Sequence, residues 1–446
     1  MNNLNLPPRV RLRRDLVLRT GGQRGGALLR FIMILILFSS ASAEIIHDSF
    51  YSNSLLENRE MDIYLPPDYQ TSTDNYPVVY FLHGMSSSPA DYSFMLNVIL
   101  DGMIAAGGMD PIIAAVPDGR DDFYAGSMYT NSDLYGLCEN YIAFDVIQYV
   151  EANYRARGTR ADRAIMGHSM GGYGALRIAF KHPDLFYGVV SLSGFVSIYP
   201  FEFWRSQVLA ENGGQAPYTY NINNGWFTLA TVTAAGAFTP NLDNPPYMVD
   251  LPLDANGNVV PVVQELWYQQ MPGSLSRLDP NVRNLDIYFD CGTQDELGFY
   301  PMTEFFHAQL DSQNIMHRFE SFNGDHTNQL SLRGMLAFLH LDTARNQLPV
   351  ESPANVSVPE RISLLQNYPN PFNAATQIEF SLPVAGNTRL VVYDLLGREV
   401  ATLIDGFASA GTHAVRFDGT GLTSGVYLCR LETGAFARTR KIVLIK

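Results

Sequence analysis

The stretch AIMGHSMGGYGALRIAF, residues 164–180, carries three signals in succession. Ala164-Ile165-Met166 is a short apolar run. Ser169 then stands between Gly167 and Gly171, and the residues after it have helical spacing. A G-x-S-x-G pattern between a strand and a helix predicts a sharp elbow with the serine hydroxyl standing clear of the sheet. Bulky neighbours would clash there with the adjoining strand and helix, and glycines relieve the crowding. The helix N-terminus behind the turn favours developing negative charge. An isolated match is usually just a turn serine. The strand-elbow-helix context reads Ser169 as a nucleophile.

A serine hydroxyl is a poor nucleophile without a base. In such a sheet the chain order is Ser, then acid, then His. His47, His83 and His168 precede Ser169 and fail this order. His182 sits at the end of the helix after the elbow, and His307 and His340 fall in predicted helices. His317 begins a strand, and His413 lies in the C-terminal β-rich segment. His326, in the loop FNGDHTNQL, is left as the general base. The acid belongs in the loop after the preceding strand, where DCGTQDELG places Asp295. Asp290 competes but still belongs to the strand, and Glu296 and Asp325 fit less well. The oxyanion hole needs two backbone N–H groups. Met170 supplies one, and Met85, in the loop after YFLHG, is expected to supply the other.

Working outward, residues 60–340 repeat strand, loop and helix. YPVVYFLHG (76–84) and PIIAAVPDG (111–119) are continuous apolar runs that suit buried parallel strands. RAIMGHS, YGVVSLSG, LDIYFDCGTQDE and MHRFESF add more strands, and YIAFDVIQYVEANY, YPMTEFFHAQLDSQN and NQLSLRGMLAFLHL add helices. The fold class is α/β, with a mostly parallel sheet covered on both faces. An insertion at about 196–280 holds Trp204, Trp226 and Trp267 and is expected to cap the C-terminal edge of the sheet. Residues 346–361 read as a linker. From 362 to 446, six or seven short strands parted by Gly, Asn and Asp turns predict a small all-β sandwich.

Arg24 and Arg30 precede the run Phe31–Phe38, and Ala41-Ser42-Ala43 follows. This is the layout of a cleaved signal peptide over 1–43, too short for a membrane span. The mature chain, 44–345 plus the later segments, is expected to have no transmembrane helix. The net charge of −14 argues against nucleic acid as a partner. Cys138, Cys291 and Cys429 are odd in number and far apart, so buried free thiols are expected over a Cys138–Cys291 bridge. No metal or nucleotide motif is present, and no cofactor is expected. Asp118, Asp121 and Asp122 in PDGRDDFYAG read as a solvated loop lining the cleft.

These residues carry a resemblance. PVVYFLHGMSSSPADY, the serine block through YGVVSLSG, and CGTQDE resemble the esterase family of α/β-hydrolases over residues 45–342. That family includes esterase D, feruloyl esterases and the mycobacterial mycolyltransferases. The resemblance implies an α/β-hydrolase fold and an ester substrate. Relatives often place an aromatic after the base histidine, whereas Thr327 and Asn328 follow His326 here. LLQNYPNPFN and GVYLCRLETGAFARTRKIVLIK resemble the type A sorting domain of the type IX secretion system, over 362–446. This implies export through the periplasm to the outer-membrane surface or the medium, with the secretion machinery as a partner. The expected function is a secreted serine esterase acting through an acyl-enzyme, with acyl groups on polysaccharides among its substrates. An acyltransferase to a sugar or lipid, and a non-catalytic surface binder, are the alternatives.

Overall fold

A computed structural model describes residues 43–120, 124–348, 361–383, 386–408, 411–434 and 436–446. Nearly all of the expected signal segment, most of the expected linker, and Asp121 and Asp122 lie outside these residues.

Eight strands form one sheet: β1 (Glu44–Ser52), β2 (Glu57–Leu65), β3 (Val78–Leu82), β4 (Ile113–Pro117), β5 (Arg163–His168), β6 (Gly188–Leu192), β7 (Asp286–Gly292) and β8 (Arg318–Phe322). Their order is β1-β2-β4-β3-β5-β6-β7-β8. The β1–β2 and β2–β4 pairings are antiparallel, and every other pairing is parallel. Strands β3 to β6 are almost wholly buried, as their continuous apolar runs require. The edge pair β1–β2 is absent from the sequence reading, because half-exposed polar residues such as Glu57, Arg59 and Glu60 break its pattern.

Side chains alternate across the sheet. Val78, Tyr80 and Leu82 join one core with Ile165, Val189 and Phe289. Val79 and Phe81 join the other with Met166, Val190 and Tyr288. Helices α1 (Pro89–Ala105) and α8 (Leu330–Gln347) cover the second face through Leu96, Leu100 and Phe338. Helices α2 (Ile147–Asn153), α3 (Met170–Lys181) and α7 (Phe299–Ser312) cover the first through Val150, Leu176 and Phe306. Burying each such Leu or Phe contributes roughly 1.5–3 kcal/mol. Tyr141–Val146, ahead of α2, is a π-helical segment rather than part of one regular helix.

Between β6 and β7 the chain folds as α4 (Glu202–Glu211), α5 (Trp226–Phe238), α6 (Pro261–Gln270) and the short turn Pro272–Leu275. Trp204 and Trp267 are buried in the first core, so this insertion is an integral layer. Helix α8 runs to Gln347, two residues into the segment expected as linker.

Beyond it, β9 (Ser363–Leu364), β10 (Ala375–Leu382) and β13 (Gly411–Asp418) form one antiparallel sheet. A second antiparallel sheet has the order β12 (Glu399–Ala408), β11 (Gly386–Tyr393), β14 (Gly425–Thr433), β15 (Phe436–Leu444). Phe380 and Phe417 from the first and Leu390, Leu431 and Ile442 from the second share a core of their own. This is the expected sandwich. No helix among the described residues is long and apolar enough to cross a membrane.

Candidate active site

Ser169 closes β5 and opens α3 with φ 58° and ψ −119°. That backbone conformation costs a non-glycine residue on the order of 1–3 kcal/mol. Two bonds hold it: the Ser169 N–H donates to the Leu192 carbonyl at the end of β6 (2.9 Å), and its own carbonyl accepts from the Tyr173 N–H (3.1 Å). The flanking glycines are required by space. A Cβ on Gly167 would sit 2.3 Å from the Gly171 carbonyl oxygen, and one on Gly171 would sit 1.9 Å from that of Leu82.

Asp295 follows β7 and His326 follows β8, so both reach the edge of the sheet where β5 ends in Ser169. The three side chains meet. His326 Nε2 lies 2.9 Å from Ser169 Oγ. His326 Nδ1 lies 2.8 Å from Asp295 Oδ2. The other carboxylate oxygen, Oδ1, accepts the Leu297 N–H at 3.0 Å just ahead of α7. The Cys291 thiol is within 3.7 Å of Oδ2. All three members are buried. With the carboxylate on Nδ1–H, Nε2 carries the lone pair that faces the hydroxyl.

The competing acids have other work. Asp290 is buried and paired with Arg333 (2.6 Å). Glu296 Oε2 accepts the His326 backbone N–H (3.0 Å). Asp325 Oδ1 accepts the Thr327 and Asn328 N–H groups and turns the loop. The Met170 N–H is the first of α3, one of the groups a helix leaves without an internal partner. The Met85 N–H has no acceptor among the described residues. A Cβ on Gly126 would meet Met170 Sδ at 2.5 Å and Met85 Cγ at 3.5 Å, so both methionines border one glycine.

Elimination by chain order passed over two histidines that shape this site. His168 is buried beside Ser169. Its Nε2 donates to the His326 carbonyl (3.2 Å), and its Nδ1 accepts from the Tyr92 hydroxyl (2.9 Å). Burial pushes its pKa down to about 3, with His326 and Arg333 adding to the effect. It is therefore a neutral positioning residue. His83 donates from Nδ1 to the Gly84 carbonyl (2.8 Å) and accepts the Gly119 N–H at Nε2 (2.9 Å). It ties the loop bearing Met85 to the loop after β4. The signal was adjacency: His83 directly follows β3, and His168 occupies the x before Ser169.

The insertion reaches the site through rings. Trp204 of α4 stacks on Phe299 (5.9 Å between centroids, 13°), and Phe299 stands edge-on to His326 (5.2 Å, 83°). Asp118 is buried, bonded to Arg120 and near His83, so it is no freely solvated carboxylate. All three cysteines are buried, and Cys138 and Cys291 form no bridge.

Comparison with known proteins bears on this geometry. Residues 366–446 match the secretion system C-terminal sorting domain, which marks a chain for secretion to the cell surface or beyond. An esterase of Mycobacterium tuberculosis (strain H37Rv) is 36% identical over 154 residues, 33% of this chain and 32% of the relative. The endo-1,4-beta-xylanase/feruloyl esterase of Xylanibacter ruminicola is 27% identical over 147 residues, 31% of this chain and 20% of the relative. The chain thus spans about a third or less of these curated relatives. A solved ferulic acid esterase shares the fold at TM-score 0.52 and 18% identity, covering 69% of this chain and 99% of its own. Residues 52–337 match the family model described as "Putative esterase", and the chain belongs to that family, on an α/β-hydrolase fold.

Proposed function

We propose that this protein is a secreted serine esterase that hydrolyses carboxylic esters through an acyl-enzyme. The observation that carries the reading is the continuous chain of hydrogen bonds from Ser169 through His326 to Asp295. Ser169 Oγ attacks the ester carbonyl carbon while His326 Nε2 takes the hydroxyl proton. The carbonyl oxygen becomes an oxyanion, received by the N–H groups of Met170 and Met85. Asp295 stabilises the imidazolium and keeps its ring oriented. The C–O bond to the leaving group then breaks, and His326 returns the proton so that an alcohol departs. Water attacks the acyl-Ser169 with His326 again as base, releasing the carboxylic acid and restoring the serine. No cofactor enters these steps.

The substrate class we assign is acyl groups esterified to polysaccharide. Three observations support it: the xylanase/feruloyl esterase relative, the sorting domain that sends the chain outward, and the aromatic layer of Trp204 and Phe299 against His326. The test is turnover of p-nitrophenyl acetate, feruloyl esters and acetylated xylan by the wild type and by Ser169→Ala. The variant should lose about 10⁶-fold in kcat while keeping its fold. Survival of wild-type activity in Ser169→Ala contradicts the mechanism. Turnover of small soluble esters alone contradicts the substrate class.

A further inference from the structure

Away from the ester site, α7 and the turn before β8 bring together His307, Asp311 and His317. His307 and Asp311 are one helical turn apart and project from the same side of α7. His307 Nδ1 lies 2.6 Å from His317 Nε2. Asp311 carboxylate oxygens lie 3.6 Å from His307 Nε2 and 3.9 Å from His317 Nε2. One ligand atom from each residue falls within 4.8 Å of the others. We propose that these three residues form a binding site for a divalent transition-metal ion of the zinc class, which pins α7 to the start of β8.

The orientation of His317 is the second, independent observation. Its side chain is only 3% exposed. Its Nδ1–H donates to the Ile315 carbonyl at 2.8 Å, which fixes the tautomer and turns the Nε2 lone pair toward His307 and Asp311. Metal-ligating histidines are held in this way by a partner on the second nitrogen. Phe289 stacks on the His317 ring (5.4 Å, 14°) and leaves it one orientation. His307 and Asp311 are more open, at 40% and 63% exposure, so an ion has a path in.

The donor set selects the ion. Two imidazoles and one carboxylate suit zinc and its neighbours, whereas calcium and magnesium prefer all-oxygen sites. Bonds of about 2.0–2.1 Å to two tetrahedral nitrogens put them roughly 3.3 Å apart. The 2.6 Å pair must therefore open by under an ångström, and the half-exposed His307 has room to move. Without an ion, His307 Nδ1–H donates to His317 Nε2. Three protein ligands leave a fourth position for water. This arrangement matches no short sequence motif for a metal, because a turn of helix and a following loop supply the ligands.

The site is separate from the ester chemistry, but its two elements lead there. α7 opens with Phe299 against His326, and β8 runs into the His326 loop. A bound ion should stabilise the folded chain by mass action.

The test is titration of the metal-stripped, untagged full chain with ZnCl₂, followed by calorimetry and thermal unfolding. One equivalent should bind and raise the unfolding midpoint. His307→Gln and Asp311→Asn, at half-exposed positions where folding survives, should each lose both effects, and Ser169→Ala should keep them. Circular dichroism verifies the fold of each variant. A wild type that takes up no stoichiometric zinc overturns the proposal. So does equal binding by His307→Gln and Asp311→Asn.

Discussion

At the residue scale, what matters is which nitrogen of His326 holds a proton. Asp295 Oδ2 at 2.8 Å on Nδ1 leaves Nε2 free to face Ser169. Asp295→Asn offers an amide in place of that acceptor and permits the wrong tautomer. It should lower kcat by about 10⁴ with the fold intact, read from steady-state kinetics beside a near-ultraviolet dichroism spectrum. A loss smaller than tenfold would argue that the carboxylate does not govern the imidazole. The meeting of Ser169, Asp295 and His326 was legible because each obeys a positional rule: elbow, post-strand loop, last loop. His168 and His83 were not, because their roles lie in hydrogen bonds to backbone atoms of distant loops. Their chemistry is invisible to chain order. Glu296 is a poorly placed candidate acid by position, and its carboxylate instead accepts the His326 backbone N–H.

At the element scale, the parallel strands could be read because burial on both faces leaves uninterrupted runs such as VVYFL. The insertion resisted reading. Its helix WFTLATVTAAGAF mixes β-branched threonines and small residues, with no polar stripe to mark a period, because nearly all of it is buried. Polar ties hold this layer to the rest. Arg177 of α3 bonds Glu139 ahead of α2 and Gln270 at the end of α6. Burial alone would raise the Glu139 pKa, but the His182 hydrogen bond and the Arg177 and Lys181 charges outweigh it and hold it at about 2. Its folded value lies below its ordinary value of 4.5, so its stabilisation is complete above pH 4.5 and disappears as pH falls through about 2. Glu139→Gln, which removes the carboxylate partner of the buried Arg177, should cost on the order of 3 kcal/mol at pH 7. It should also flatten the acid limb in that window, measured as urea midpoints against pH. An unchanged acid limb would contradict the assignment.

At the scale of the whole molecule, the chain has an α/β layer that carries the candidate site and a β-sandwich with a separate core. The sandwich was legible from turn spacing alone, since Gly, Asn and Asp recur between short alternating strands. The exact start of the linker was not, because α8 continues through residues without strong periodicity. Export should depend on the sandwich. A chain ending at residue 361 should accumulate inside the cell envelope, while the full chain reaches the surface or medium, by immunoblot of fractions. Equal secretion of the two would contradict a sorting role. A covalent acyl intermediate on Ser169 should be caught by peptide mass spectrometry after brief acid quench of the protein turning over a slow aryl ester. The acyl mass should appear on the peptide containing Ser169 and be absent in Ser169→Ala. An acyl group on any other residue, or active enzyme with Ser169 never modified, would contradict it.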